Sequence, residues 1–349
     1  MSKDGAEKPA SKALVTGVVL FYLVAALAMV MANKWVLNTT DTPLFFLWTQ
    51  LAIAALLFIL CDLARVLPDR LSFDWATAKD MAAVVGLNVI GLSFSNYTLK
   101  YVDASFYQVA RGLVLPFTVA VSFVFLAARP SLKVLSACGV VTLGFFVGVF
   151  LDGTPVSPLG IFFGVASSGI TAVHSVVIKK SLKVVNGSAL ALSWYMNVLS
   201  AAVLFPILLL AGEGPGISKL LFNVGELTVP EGSMSPLRTF IWGSLITGLL
   251  GFLMNIASLL SIKVTSPITH MVSSAVRGVA ASLLGMWLFH DIITTGRASS
   301  IATILAGSAL YTWFKHQESQ NSAPPASKGS YERVKMEDIE SAAEAKVKQ

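Results

Sequence analysis

The sequence predicts an all-α membrane protein of about ten transmembrane helices, arranged as two inverted five-helix repeats. Three observations carry that expectation. First, 55% of the 349 residues are hydrophobic and only 13% are charged, whereas soluble domains carry roughly 25% charged residues. Second, apolar stretches follow one another that are long enough to cross a bilayer, which takes about 17–25 residues as helix. They are Leu14–Leu37, Pro43–Val66, Ala78–Leu99, Ala104–Ala128, Leu132–Leu151, Val156–Ile178, Ser188–Ala211, Leu237–Ile262, Pro267–Phe289 and Ala298–Lys315. Third, two of these stretches carry an arginine, Arg111 and Arg277, at matching places in the two halves.

The first stretch is longer than the apolar core of a secretory signal, about 7–15 residues, and further spans follow it, so it is expected to remain as a helix. The ten stretches divide into a first repeat at 14–155 and a second at 156–315. An odd number of spans per repeat forces the second copy to run inverted, an arrangement in which transporters place a site near the midplane. Residues 1–13 form a short N-terminal segment. Residues 316–349, rich in Ser, Pro, Glu and Lys, read as a disordered tail. Gly212–Pro236 is the longest loop.

The net charge of +6 reflects lysines and arginines at span ends, so nucleic acid is not an expected partner. With the N-terminus in the cytosol, that side holds Lys3, Lys8, Lys12, Arg65, Arg70, Lys79, Arg129, Lys133, Lys179, Lys180, Lys183, Lys263 and Lys315. The opposite side holds Lys100, Lys219, Arg238 and Arg297. This bias places both termini in the cytosol. Cys61 and Cys138 fall in or beside spans and read as small buried hydrophobes. Gly139, Gly144 and Gly148 are spaced for close helix packing.

A cation in hydrocarbon costs roughly 2.5–3.5 kcal/mol on insertion scales, so an intramembrane arginine marks a wet cavity and a partner. Each half reads as a span, a lysine, a tight turn and a polar helix with an arginine: Lys100 leads to Arg111, and Lys263 to Arg277. Helical spacing puts Tyr107 and Gln108 on the face of Arg111. It puts Ser273 and Ser274 on the face of Arg277, with His270 a turn away. Arginine's planar fork pairs bidentately with phosphate oxygens. Asp and Glu are nearly absent from the span interiors, which favours an anion supplied from outside.

Lys34, beside Asn33, either lines the cavity or snorkels to the interface. Asn88, Ser93, Ser95 and Asn96 serve helix–helix hydrogen bonding or ligand contact equally well, while His174 and Asn255 read as packing partners. Trp194 fits an interfacial belt. Tyr195 and Asn197 either join that packing or stack on and hydrogen-bond a nucleobase. The sequence carries no Walker loop, no metal-ligand spacing and no nucleophile–base set, so neither an enzyme nor a cofactor or metal is expected.

Three segments carry a family resemblance: Lys100-Tyr101-Val102-Asp103-Ala104-Ser105-Phe106-Tyr107-Gln108-Val109-Ala110-Arg111, Thr265-Ser266-Pro267-Ile268-Thr269-His270-Met271-Val272-Ser273, and Ser308-Ala309-Leu310-Tyr311-Thr312-Trp313. The chain resembles, over nearly all of 14–315, the nucleotide-sugar and triose-phosphate transporters of the drug/metabolite transporter superfamily. The resemblance implies ten helices in two inverted repeats. It implies exchange of a cytosolic nucleotide sugar for a lumenal nucleoside monophosphate across the Golgi (or endoplasmic reticulum) membrane. Arg277 matches the basic residue that faces the phosphates in that family. The seventh-span pattern of guanine-nucleotide members, Phe-Tyr-Asn-Asn, reads Trp194-Tyr195-Met196-Asn197 here, with an apolar side chain in place of the first amide. The expected assignment puts the diphosphate on Arg111 and Arg277, the base on Tyr195 and Asn197, and the sugar–phosphate end near His270, Ser273 and Ser274. The expected partners are the two nucleotides and the lipid bilayer, with a homodimer left open. Another phosphorylated solute, or a non-transporting membrane regulator, are the alternatives.

Overall fold

The computed structural model describes residues 12–126, 129–153, 155–222, 234–264 and 267–322, without the side chains of 12–16, 18, 19, 126, 179, 256–264, 267–276, 321 and 322. Regular structure among them is entirely helical: α1 (Lys12–Thr39), α2 (Pro43–Leu63), α3 (Trp75–Asp80), α4 (Ala82–Tyr101), α5 (Ala104–Gly112), α6 (Val114–Leu126), α7 (Leu132–Phe150), α8 (Pro158–Val184), α9 (Ala189–Leu210), α10 (Gly214–Phe222), α11 (Pro236–Val264), α12 (Pro267–Phe289) and α13 (Thr295–Ser322). Eight segments are long and apolar enough to cross a membrane, with α5 and α6 counted together, and Arg277–Phe289 is a shorter apolar helix. The protein is a multi-span helical membrane protein. Its exposed large side chains, such as Phe123, Leu210 and Trp287, are the apolar surface that lipid requires. Contacts divide the chain into one unit through Thr312 and a second from Trp313.

Helix pairing repeats itself. α4 packs along α8, and α11 packs along α1. α4 also meets α9, as α11 meets α2. α8 touches α5 and α6, as α1 touches α12. Numbering the spans from each half's start, these are the same pairings made twice. Close approach between α7 and α13 depends on glycine: a Cβ on Gly144 or Gly148 would fall within 3 Å of Ile304 or Ser300 side-chain atoms.

Three stretches depart from the sequence expectation. The fourth is broken at Gly112–Leu113, because Pro116 offers no N–H to the Gly112 carbonyl and its ring would clash there. The carbonyl of Ala110 near the break accepts from Leu113 N (3.2 Å) and from the Ser168 hydroxyl of α8 (2.8 Å). The expected loop Gly212–Pro236 contains α10. The last helix runs past Lys315 to Ser322, with Lys315 and Glu318 paired at 3.2 Å, so the expected tail begins as helix. The rest of that tail, 323–349, lies outside the described residues.

The end of the bundle where α4 turns into α5 is fastened by charge. Lys34 donates to the carbonyls of Leu99 (2.8 Å) and Val102 (2.7 Å), the exposed negative end of α4. Asp291 accepts from the amide of Ala104 (3.0 Å), the positive end of α5. Glu213 accepts from Leu44 N (2.9 Å) and Phe45 N (2.8 Å) at the start of α2. Burial pushes the Glu213 and Asp291 carboxyls up from their ordinary range, while these amides pull them back down. Arg297, counted among the cations of the non-cytosolic side, is 1% exposed and ion-paired with Asp152, whose side chain is fully buried. It also donates to Ser105 (2.7 Å) and lies over the Phe106 ring at 5.2 Å.

Removing one partner of a buried ion pair costs about 3–5 kcal/mol, because the other charge is left uncompensated. Asp152→Asn is therefore expected to lower the melting temperature of the purified protein clearly. Asp152→Asn combined with Arg297→Met should recover part of the loss, as measured by thermal unfolding in detergent.

Candidate functional site

The helices enclose a cavity of about 640 Å³, within the range of small-molecule sites, about 300–1,000 Å³. It is lined by residues of α1, α2, α4, α5, α8, α9, α11 and α12, and among the described lining residues there is no Asp or Glu. Its wall reaches from Leu99, two residues before the end of α4, to Leu182 and Ala189 beside the α8–α9 turn. The cavity thus runs most of the bundle's length, from the charge-fastened end toward the opposite one.

Arg111 stands in the last turn of α5, seven residues and about 10 Å into the bundle. The break at Gly112 ends α5 there, so the negative end of a helix dipole falls beside a cation inside the bundle. The guanidinium donates to the Tyr107 hydroxyl (2.8 Å) and lies 5.5 Å from that ring's centre. The Tyr107 hydroxyl shares a second hydrogen bond with Ser95 (2.8 Å), which fixes the phenol and through it the arginine. Arg277 lines the cavity from α12, with the Tyr22 hydroxyl of α1 as a partner. It is close enough to Arg111 for the two like charges to repel. Two cations held by phenols thus face a cavity whose described lining holds no carboxylate.

Arg111, Arg277, Tyr107, Gln108 and Asn197 line the cavity. Lys34 does not: its ammonium is committed to the Leu99 and Val102 carbonyls at the fastened end of the bundle. Tyr195 does not either. Its hydroxyl accepts from Asp74 N (2.7 Å) and its ring stacks on Phe73 at 5.6 Å, while Trp194 donates to Ser72 O (3.2 Å). The pair pins the segment before α3, because helical rotation turns Tyr195 away from the cavity that Met196 and Asn197 face. The side chains of His270, Ser273 and Ser274 lie outside the described residues. Asn88, Ser95 and Asn96, which the sequence leaves open between packing and ligand contact, line the cavity, and so do His174 and Asn255, which it reads as packing partners. Tyr22, Gln50 and Thr247 do so too, each a lone polar residue in an apolar run with nothing in the sequence to mark it.

Tyr107→Phe removes one hydroxyl and keeps the ring. A hydrogen bond to a charged group contributes about 1.5–3 kcal/mol, or roughly ten- to a hundredfold in affinity. The variant is expected to fold and to bind a phosphate-bearing solute that much more weakly, as read by titration of the purified protein.

Comparison with known proteins gives the same class. The chain is 32% identical over 311 residues to GDP-fucose transporter 1 of Monosiga brevicollis, covering 86% of this chain and 90% of that one. It is 30% identical over 312 residues to GDP-fucose transporter 1 of Dictyostelium discoideum, covering 86% and 81%. It is 30% identical over 315 residues to the GDP-fucose transporter, Golgi, of Drosophila melanogaster, covering 86% and 90%. A crystal structure 16% identical in sequence shares the fold with a TM-score of 0.53, covering 88% of this chain and 99% of that one. The model of the Triose-phosphate Transporter family matches residues 13–312, and the chain belongs to that family.

Proposed function

We propose that the chain is a nucleotide-sugar antiporter of the Golgi membrane, carrying GDP-fucose into the lumen in exchange for GMP. The single observation that carries this reading is the pair of phenol-held arginines in a cavity whose described lining has no carboxylate. Relatives named GDP-fucose transporters support the choice of solute, and one of them is named for the Golgi. Arg111 and Arg277 bind the diphosphate, with Tyr107 and Gln108 beside it and Asn197 toward the base. The 14–155 and 156–315 repeats rock against each other around this site, a motion the twice-made helix pairings support. Both termini face the cytosol. With Arg297 buried against Asp152, the opposite face is left with even fewer exposed cations than the sequence count gave it.

Exchange follows from the charge. Without a bound anion the cavity must carry two like charges past a dry barrier, and that step is costly. A second reading, a transporter of a phosphorylated solute without guanine such as a UDP-sugar or a triose phosphate, is favoured by Met196. It lines the cavity where guanine-type members of the family carry an amide.

Liposomes preloaded with GMP are expected to take up GDP-fucose much faster than empty ones; equal rates would contradict exchange, and a preference for UMP with a UDP-sugar would favour the second reading. Arg111→Ala and Arg277→Ala should each fold yet lose tens- to thousandsfold in affinity, since an unpaired phosphate charge costs about 2–5 kcal/mol at about 1.4 kcal/mol per decade. Arg→Lys at either place should fall between, because charge remains and the fork is lost.

A further inference from the structure

At the end of the bundle away from the charged fastening, a groove of about 460 Å³ lies between α6 and α7. Its α6 wall is Pro116, Val119, Ala120 and Phe123, which fall on one face at helical spacing. Leu135 and Cys138 of α7 form the other wall, and Arg129 and Pro130 of the connection form the rim. Gly139, one turn past Leu135, adds no bulk: a Cβ on it would meet nothing within 4 Å. Pro116 stands ten residues before the end of α6. At about 1.5 Å per residue, the groove therefore runs about 15 Å down from its rim. That is one leaflet, half of a hydrocarbon core of about 30 Å. Spread over that depth, the volume gives a section of about 30 Å², against about 80 Å² for a helix 10 Å across.

We propose that this groove seats an acyl chain of an anionic phospholipid whose head group is held by Arg129. Depth and section fit a lipid chain of one leaflet and are too narrow for a helix of a second copy. Charge selects the head group. Arg129 is exposed at the rim, and Lys133 is exposed in the first turn of α7, whose amide end is also positive. Among the described residues, no Asp or Glu forms an ion pair with either. α8 starts beside the end of α4, since a Cβ on Gly160 would strike Val102, so it ends on the same side as α6 and brings Lys183 there. On the proposed orientation this side meets the cytosolic leaflet, where anionic lipids collect and basic clusters at span ends recognise them. The site is separate from the central cavity: no described residue lines both. The tip of the chain meets Pro116, the residue that divides α5 from α6, five residues after Arg111.

The test uses the full chain, purified and stripped of lipid in detergent. It is titrated with phosphatidylinositol or with phosphatidylcholine of the same acyl chains, and the rise in melting temperature gives the apparent affinity. The wild type is expected to bind phosphatidylinositol about fivefold tighter or more, the factor for one basic residue beside anionic lipid. Arg129→Gln, a change at an exposed position, should remove most of that preference. Arg111→Ala should leave it in place, which separates the groove from the arginines of the cavity. Ala120→Phe, which fills the groove without touching charge, should weaken both lipids. Equal affinities in the wild type, a preference that survives Arg129→Gln, or one lost in Arg111→Ala instead overturns the site. So does a lipid-independent dimer that Ala120→Phe dissociates, which would give the groove to a second copy.

Discussion

A charge placed in hydrocarbon must meet an opposite charge or an oriented dipole, and this constraint sorts the ionic side chains of the bundle into two kinds. Arg297 meets Asp152, Lys34 meets the carbonyl end of α4, and Asp291 and Glu213 meet the amide ends of α5 and α2. These charges are spent on structure. Arg111 and Arg277 meet phenols, and the described wall around them carries no carboxylate. A phenol orients a guanidinium without cancelling its charge.

The structural charges also fasten one end of the bundle. The turn between α4 and α5 is gripped on both sides, by a cation on its carbonyls and an anion on its amide, in the sense that each helix dipole favours. Gly285 makes room for this: a Cβ there would sit 2.6 Å from the Asp291 carboxylate and 3.1 Å from Ala104. Lys34 comes from α1 and Asp291 from the connection after α12, so the grip joins helices of both halves. Parting these helices must break contacts made by buried charged groups. The cavity wall begins directly inside the grip, since Tyr107 is three residues past Ala104.

The fold was legible because its signal is coarse. Hydropathy runs of bilayer length survive any detail of packing, and each expected stretch is mostly helix, with breaks at Met81 and Leu113. What composition concealed was local. Pro116 breaks a run that reads as continuous, and α10 forms within a stretch that reads as loop. Arg297 and Asp152 each sit at a span end, where a charge looks ordinary, and 145 residues separate them. Lys34 and Tyr195 were drawn toward the site by residue type alone. Their direction depends on helix rotation and on a neighbour's free carbonyl or amide, which periodicity in so uniformly apolar a helix does not fix. Arg111, Tyr107 and Gln108 were legible for the converse reason. Spacing within one helix turn is set by the helix itself, and a cation in an apolar run has few structural explanations.

The central claim is that the cavity recognises phosphate charge through the two arginines. The most direct measurement is thermal unfolding of the purified wild-type chain with a nucleoside, its monophosphate and its diphosphate sugar at equal concentrations. A ligand that binds only the folded state raises the melting temperature in proportion to its affinity. The account requires a shift with both phosphorylated ligands and none with the nucleoside. A nucleoside that stabilises the protein as much as its phosphorylated forms would contradict it.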